Sequence, residues 1–172
     1  MKRIFAVAVT LLTVFITPAS LSAKGDIVKI KITGGALATP IEITDPSIRS
    51  FEVWAGPGVH VNDREQTEGF IIDWSSGPLQ ERPKGLRPYE VSFYEKGRLP
   101  EERLVYVVEY AYDPSSEQGY VYLPGKGDEG YRLNASSIFR GHGLEGHWFR
   151  ATGAWENFVR PILRRAPMGT SK

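Results

Sequence analysis

Cysteine is missing from all 172 residues of this chain. Without a thiol, the chain can form neither a disulfide nor a thiolate metal site, and it has no cysteine nucleophile. The G-x-S-x-G sequence that carries the nucleophile of many serine hydrolases is missing as well. These absences leave acid–base, metal-assisted and purely binding roles to be considered.

An excess of charge of either sign is also lacking. Apart from Lys2 and Arg3, which belong to the first few residues, 19 basic side chains stand against 20 acidic ones. Surfaces that bind DNA or RNA concentrate Lys and Arg to neutralise phosphates. Because the balanced chain offers no such surface, we expect no nucleic-acid partner.

Long apolar runs are lacking except at the start of the chain. Residues 4–16 are apolar apart from two threonines, Lys2 and Arg3 precede them, and small residues follow up to Ala23. This order is typical of a cleavable secretory signal. The run is shorter than the about 20 apolar residues that span a bilayer. We therefore predict a signal peptide at residues 1–23, and a secreted or periplasmic protein with no stable membrane insertion after cleavage.

Residues 24–166 carry the patterns of one strand-rich globular domain, and residues 167–172 are predicted to be a disordered tail. Apolar and polar residues alternate, or β-branched and aromatic residues cluster, in short segments between turn-forming residues. The predicted strands are residues 26–33, 39–44, 69–74, 89–96, 103–113, 119–123, 131–140 and 148–150. The predicted fold class is α+β, mainly β, with a small antiparallel sheet or an open, barrel-like sheet.

Two helices are predicted beside the sheet. Asp45 can accept hydrogen bonds from free amides and Pro46 suits a first helical position, which predicts a short helix near residues 45–52. Thr152 can cap a C-terminal helix whose apolar residues recur at spacings of three and four, so that it packs on the sheet. Pro161 would kink or shorten that helix.

Five tyrosines on two neighbouring strands are the candidate binding residues. If Tyr112 lies opposite Tyr120 in a hairpin, Tyr110 lies opposite Tyr122, and Tyr106 lies further along the same face. A flat tyrosine face can stack on sugar rings or anchor a protein partner. The alternative is ordinary strand propensity, with the rings buried beneath the C-terminal helix.

A glycine-rich segment near the C-terminus is the candidate metal site. His142, Glu145 and His147 offer imidazole and carboxylate ligands that suit zinc or another divalent ion. Their spacing matches no familiar zinc motif, and His60 could complete the site only if the fold brings it close. The alternative is a loop whose histidines contact solvent or backbone. No cofactor is expected unless this segment binds a divalent metal such as zinc.

The dinucleotide-binding pattern G-x-G-x-x-G occurs twice, beginning at Gly125 and at Gly141. The chemistry needs a strand before the glycines, a helix that starts among them, and amides that point at a pyrophosphate. The first copy contains Asp128, a negative charge where the phosphate would bind, and a predicted strand follows it. We therefore expect no nucleotide site at either copy.

Three segments of the domain resemble a group of secreted bacterial proteins without assigned activity. The segments are Ile32-Thr33-Gly34-Gly35, Pro40-Ile41-Glu42-Ile43-Thr44-Asp45-Pro46 and Trp148-Phe149-Arg150-Ala151-Thr152. The resemblance implies export and a shared single-domain fold, and it implies no catalytic residues.

The leading hypothesis is a non-catalytic envelope or extracellular domain that binds an envelope protein or a glycan. The alternatives are a small metal-dependent hydrolase that uses the loop of His142, Glu145 and His147, and a structural component of an envelope assembly. An exposed tyrosine face favours binding, a cleft that joins the histidines favours the enzyme, and buried tyrosines favour the structural role.

Overall fold

The computed structural model of the chain describes residues 25–53, 55–56, 60–61, 64–65, 69–97, 101–137 and 143–169. These residues form strands, a 3-10 helix and two α-helices. Their bounds are β1 Asp26–Gly34, β2 Ile41–Ile43, the 3-10 helix Pro46–Ser50, β3 His60–Val61, β4 Arg64–Glu65, β5 Tyr89–Lys96, β6 Arg103–Tyr112, β7 Gly119–Leu123, α1 Tyr131–Ser137, β8 His147–Arg150 and α2 Gly153–Arg165.

The main element is an open antiparallel sheet of six strands in the order β2-β1-β5-β6-β7-β8, with β3 and β4 forming a separate ribbon. The predicted α+β, mainly β class is confirmed. The predicted signal peptide, residues 1–23, lies outside the described residues. Within the described part of the chain, no helix is both long enough and apolar enough to cross a membrane.

Helix α2 covers one face of the sheet, called the helix face here. The ring of Trp155 on α2 is fully buried, 5.8 Å from the Tyr110 ring and 6.1 Å from the Phe93 ring. Thr152 caps the helix by accepting a hydrogen bond from the Trp155 amide, as predicted. The helix runs through Pro161 to Arg165, so the proline does not shorten it.

The short helix predicted near residues 45–52 is confirmed as the 3-10 helix. The Asp45 carboxylate accepts a hydrogen bond from the Ser47 amide at 2.8 Å, and Pro46 occupies the first turn. Ile48, on this helix, is fully buried in the core and fixes the helix against the sheet.

Residues 131–140 were predicted to form a strand, and this prediction is wrong because Tyr131–Ser137 forms helix α1. The helix presents Asn134 to strand β6. The Asn134 amide accepts a hydrogen bond from the Val107 N–H at 2.9 Å and donates one to the Val107 carbonyl at 2.6 Å. Strand β7 ends at Leu123, one residue short of the position opposite Val107. Asn134 therefore replaces the missing strand partner.

Replacing Asn134 by alanine should lower the free energy of unfolding by about 2 kcal/mol, because the N–H and carbonyl groups of Val107 would lose their hydrogen-bond partner. Chemical denaturation measures the loss. Arg132→Ala is the control, since Arg132 is exposed on the same helix and its removal should change stability by less than about 0.5 kcal/mol. Equal losses in the two variants would contradict the role of Asn134.

The outer edge of β8 is covered by the segment before β5. The Asp73 amide donates to the Arg150 carbonyl at 3.0 Å, and the Leu79 amide donates to the Trp148 carbonyl at 2.7 Å. The strand predicted at residues 69–74 is reduced to an isolated bridge in this segment. Although it is irregular, this segment supplies hydrogen-bond donors to two carbonyl groups on the open edge of β8. These hydrogen bonds also hold the loop that follows against the sheet.

The disordered tail predicted at residues 167–172 is wrong for its first three residues, and the last three lie outside the described residues. Met168 forms an isolated antiparallel bridge with Leu37, and the Ala38 amide donates to the Pro167 carbonyl at 3.0 Å. Backbone pairing with the loop after β1 fixes this segment.

Candidate binding groove

The five candidate tyrosines do not share one face of the sheet. Tyr120 pairs with Ala111 and Tyr122 pairs with Glu109, so the predicted pairing of Tyr120 with Tyr112 is wrong by one residue. A slip of one residue moves every side chain of a strand to the opposite face. The tyrosines of β6 and those of β7 therefore lie on opposite sides.

The three tyrosines of β6 lie on the helix face. Tyr106 and Tyr110 are buried, with 3% and 0% exposure, and Tyr112 is partly buried with its ring centroid 5.8 Å from that of Tyr110. Burial raises the pKa of the Tyr106 and Tyr110 hydroxyls, and the nearby carboxylate of Glu156 raises the pKa of Tyr110 further. These three residues contribute to the core, which is the alternative that the sequence left open.

The two tyrosines of β7 lie on the opposite face of the sheet, called the groove face here. Tyr120 and Tyr122 are partly exposed, and because they are two residues apart their rings point to the same side. Trp148 of β8 pairs with Tyr122, and the two ring centroids are 5.3 Å apart. Arg150 pairs with Tyr120. The groove face thus presents a row of side chains from β7 and β8.

A loop turns this row into a groove with two compartments. The Tyr122 compartment has a volume of about 490 Å³, and the Tyr120 compartment has a volume of about 550 Å³. Both compartments share one wall, which consists of Leu79, Gln80 and Glu81. The two compartments therefore lie side by side, one at each tyrosine.

Charged side chains surround the Tyr122 compartment. Arg82 lies with its Cζ atom 5.7 Å from the centroid of the Trp148 ring, and the Glu109 and Asp128 carboxylates line the same compartment. Burial, and to a smaller extent the nearby Asp128 and Glu90 carboxylates, raises the pKa of Glu109, and Arg82 opposes this shift. Hydrogen-bond donors and acceptors thus lie around an aromatic floor.

The carboxylate of Glu109 is one of the groups that line the Tyr122 compartment. It is partly buried, and none of the hydrogen bonds or ion pairs formed among the described residues involves it. A partly buried carboxylate with a raised pKa that lies in a cleft is a common feature of binding and active sites. Glu109 is therefore available to a ligand in the groove.

The candidate metal ligands are only partly described. His147 lies at the rim of the Tyr122 compartment, with its Nδ1 atom 3.2 Å from the Glu145 carbonyl oxygen. The Glu145 carboxylate accepts a hydrogen bond from the Gly143 amide at 3.0 Å. His142 and the side chain of His60 lie outside the described residues. Among the residues that are described, no three His, Asp or Glu side chains are close enough to hold a metal ion, and the proposed metal site stays a prediction.

The first G-x-G-x-x-G segment lies between a strand and a helix, as a nucleotide site requires, although a strand was predicted to follow it. It follows strand β7 and precedes helix α1. However, the Asp128 carboxylate accepts a hydrogen bond from the Gly125 amide at 2.7 Å and another from the Tyr122 hydroxyl at 2.7 Å. The chain's own carboxylate therefore takes a hydrogen bond that a phosphate would need, and it fixes the ring of Tyr122 in the groove.

The sequence did not identify Arg82, Glu109 or Trp148 as site residues. The proline- and glycine-rich composition of residues 75–88 predicts a long loop, and long ordered loops are often functional. This composition indicates which region of the chain is functional, but it does not indicate which side chains in that region contact a ligand. Glu109 and Trp148 lie in ordinary strand sequence, and only the strand order brings them together.

Comparison with known proteins does not indicate what this groove binds. No protein-family model matches the chain, and neither a curated protein nor a solved structure is significantly similar to it. The chemistry of the groove therefore has to be inferred from its own residues.

Proposed function

We propose that this protein is a non-catalytic binding domain that holds a glycan in the groove across Tyr120 and Tyr122. One observation carries the proposal: two adjacent compartments, each with a partly exposed tyrosine, share a single wall. Such a groove suits a chain of similar units, since each compartment can take one unit.

The spacing of the tyrosines supports a linear ligand. Residues two apart in a strand are about 7 Å apart. An aromatic ring can cover the apolar face of a sugar ring, and its polar tip stays available to water or to a hydroxyl. Tyr120 and Tyr122 would therefore contact neighbouring sugar units.

The polar rim of the groove supports a ligand rich in hydroxyl groups. Gln80 and Arg82 supply hydrogen-bond donors, whereas Glu81 and Glu109 supply acceptors. Ligand sites commonly combine an apolar floor with a few such polar groups. A protein partner is less well matched, because a standard protein interface buries about 800 Å² on each side and is not confined to two compartments.

The location of this activity is part of the proposal. Residues 1–23 have the pattern of a secretory signal. An exported domain would meet the glycans of the envelope or of the surroundings. No metal or cofactor takes part in the proposed binding.

Replacing Tyr122 or Tyr120 by alanine should weaken glycan binding about 5-fold each, since each variant loses one stacking contact worth about 1 kcal/mol. A glycan array identifies the oligosaccharide to use, and calorimetry with that oligosaccharide measures the dissociation constant. The free energy of unfolding should change little in Tyr120→Ala, whereas Tyr122→Ala should also lose about 1 kcal/mol of stability, because the Tyr122 hydroxyl donates a hydrogen bond to Asp128.

Tyr94→Ala is the matched control. Tyr94 is a partly exposed tyrosine on β5, outside the groove, and its ring lies 4.4 Å from Lys29 Nζ. Its removal should leave glycan binding unchanged. The proposal fails if no glycan on the array binds the unmodified protein, or if Tyr94→Ala weakens binding as much as the two groove variants do.

A further inference from the structure

A row of directly paired residues crosses four strands at the Tyr122 compartment. Glu90 of β5 pairs with Glu109 of β6, and Glu109 pairs with Tyr122 of β7. Tyr122 in turn pairs with Trp148 of β8. Neighbouring strands are about 4.8 Å apart, and side chains directly opposite each other lie on the same face of the sheet. Two neighbouring carboxylates thus adjoin two neighbouring aromatic rings on the groove face.

The two carboxylates are an unfavourable pair in the protein alone, because like charges directly opposite each other destabilise a sheet. Among the described residues, neither Glu90 nor Glu109 takes part in an ion pair. Glu90 accepts a hydrogen bond from the uncharged Ser92 hydroxyl at 3.3 Å, which leaves its charge in place. A positively charged group from outside the chain would relieve the repulsion.

The two compartments of the groove differ in charge. The described Asp, Glu, Lys and Arg side chains that line the Tyr122 compartment are three acids and one base, namely Glu81, Glu109, Asp128 and Arg82. Glu81 is exposed and ion-paired with Lys84, so Glu109 and Asp128 dominate there. In the Tyr120 compartment, Glu81 is accompanied by Arg150. A cation is therefore favoured in the Tyr122 compartment and not in the Tyr120 compartment.

The aromatic floor favours a cation as well, because the negative face of an aromatic ring attracts positive charge. The Arg82 guanidinium already lies near the Trp148 ring, with 5.7 Å between its Cζ atom and the ring centroid. The neighbouring Tyr122 ring is partly exposed and is fixed by the hydrogen bond of its hydroxyl to Asp128. A sugar unit that stacks on Tyr122 would hold its substituents beside Glu109, one strand away.

We infer that the sugar unit in the Tyr122 compartment carries a protonated amino group, which ion-pairs with Glu109. The inference rests on the proposed glycan binding and narrows it to glycans with a free amine. An acidic unit would add to the repulsion, and a neutral unit would leave it in place. The Tyr120 compartment, which lacks the carboxylate pair, takes a unit without an amine.

The test follows the backbone amide signals of Glu109 and Tyr122 by NMR while D-glucosamine is added to the full-length protein, at a pH where the amine is protonated. N-acetyl-D-glucosamine is the matched ligand, because it has the same ring with a neutral amide in place of the amine. D-glucosamine should bind about 5-fold more tightly, as expected for one partly exposed ion pair.

The comparison separates this inference from the proposed function. If D-glucosamine binds no more tightly than N-acetyl-D-glucosamine, the inference is overturned and glycan binding stands. If neither sugar shifts the signals although a glycan on the array binds, the inference is likewise overturned alone. If no glycan on the array binds either, both proposals fail.

Glu109→Gln keeps the size of the side chain and removes its charge. The variant should weaken D-glucosamine binding about 5-fold and leave N-acetyl-D-glucosamine binding unchanged. Glu42→Gln is the matched control, because Glu42 is an exposed carboxylate on the distant edge strand β2 and pairs with Lys31. Equal losses in Glu109→Gln and Glu42→Gln would show a general effect of net charge and would overturn the inference.

Discussion

Replacing Glu156 by alanine is expected to lower the free energy of unfolding by about 3–5 kcal/mol, the range found when one partner of a buried ion pair is removed. Glu156 is 7% exposed and is the counter-ion of the buried Arg160. Its carboxylate also accepts the hydrogen bond of the buried Tyr110 hydroxyl, at 2.9 Å from Oε1. The variant would leave a buried charge and a buried hydroxyl without their partner. Urea denaturation measures the loss.

A double replacement separates the ion pair from simple loss of packing. Glu156→Leu with Arg160→Met removes both charges and keeps side chains of similar volume. Buried ion pairs can often be exchanged for apolar residues without loss of stability. The double variant should therefore regain part of the stability that Glu156→Ala loses, and the rest stays lost because the buried Tyr110 hydroxyl still lacks its acceptor. If the double variant is as unstable as Glu156→Ala, the unpaired charge is not the cause.

Replacing Gly119 by alanine is expected to lower the free energy of unfolding by about 3 kcal/mol, the upper part of the range for overpacking a core. Gly119 begins β7 and pairs with Tyr112. A methyl group at this position would overlap Glu156 Oε1 and would lie 2.8 Å from the Tyr110 hydroxyl oxygen. The ion pair and the hydroxyl would both have to move. Thermal and urea denaturation measure the loss.

Gly153→Ala provides the control for Gly119→Ala. Gly153 is the first residue of α2, and a methyl group there would meet no atom within 4 Å. Because alanine restricts the unfolded chain and favours the helix, this variant should be neutral or more stable by about 0.5 kcal/mol. A loss in Gly153→Ala similar to that in Gly119→Ala would show that the effect does not come from the ion pair.

The local elements could be predicted where a physical rule acts within a few residues. Alternation in β1 and β5 and the apolar spacing of α2 reflect which side chains face the core. The caps at Asp45 and Thr152 depend on one side chain and a nearby amide. These rules are enough to predict the fold class, because an antiparallel sheet covered by one helix follows from the faces of its elements.

The register of the β6–β7 hairpin could not be predicted in the same way. In β7, one alternating set of side chains contains two large apolar residues and the other contains two tyrosines, so either set could face the core. Val121 and Leu123 are buried, whereas Tyr120 and Tyr122 are only partly buried. The alternation therefore indicates a strand and leaves its orientation open, and the predicted single tyrosine face depended on that orientation.

Helix α1 and the groove depend on contacts between distant parts of the chain. Nothing in the sequence around Asn134 distinguishes it; its role comes from Val107 on β6, which has no partner on the β7 side. The groove wall at Leu79 is fixed by Trp148, far along the chain. A pattern within a few neighbouring residues cannot show contacts between residues so far apart in the sequence. The candidate site can therefore be recognised only once the order of the strands is known.

The bridge between Leu37 and Met168 has a consequence for folding during synthesis. The ribosome releases the segment around Leu37 well before the segment around Met168, so the two cannot meet until all the residues between them have been made. Contacts between such distant residues form slowly. A chain stalled before residue 166 would hold a largely complete sheet without this closing contact, and such incomplete domains are preferred targets of proteases and chaperones.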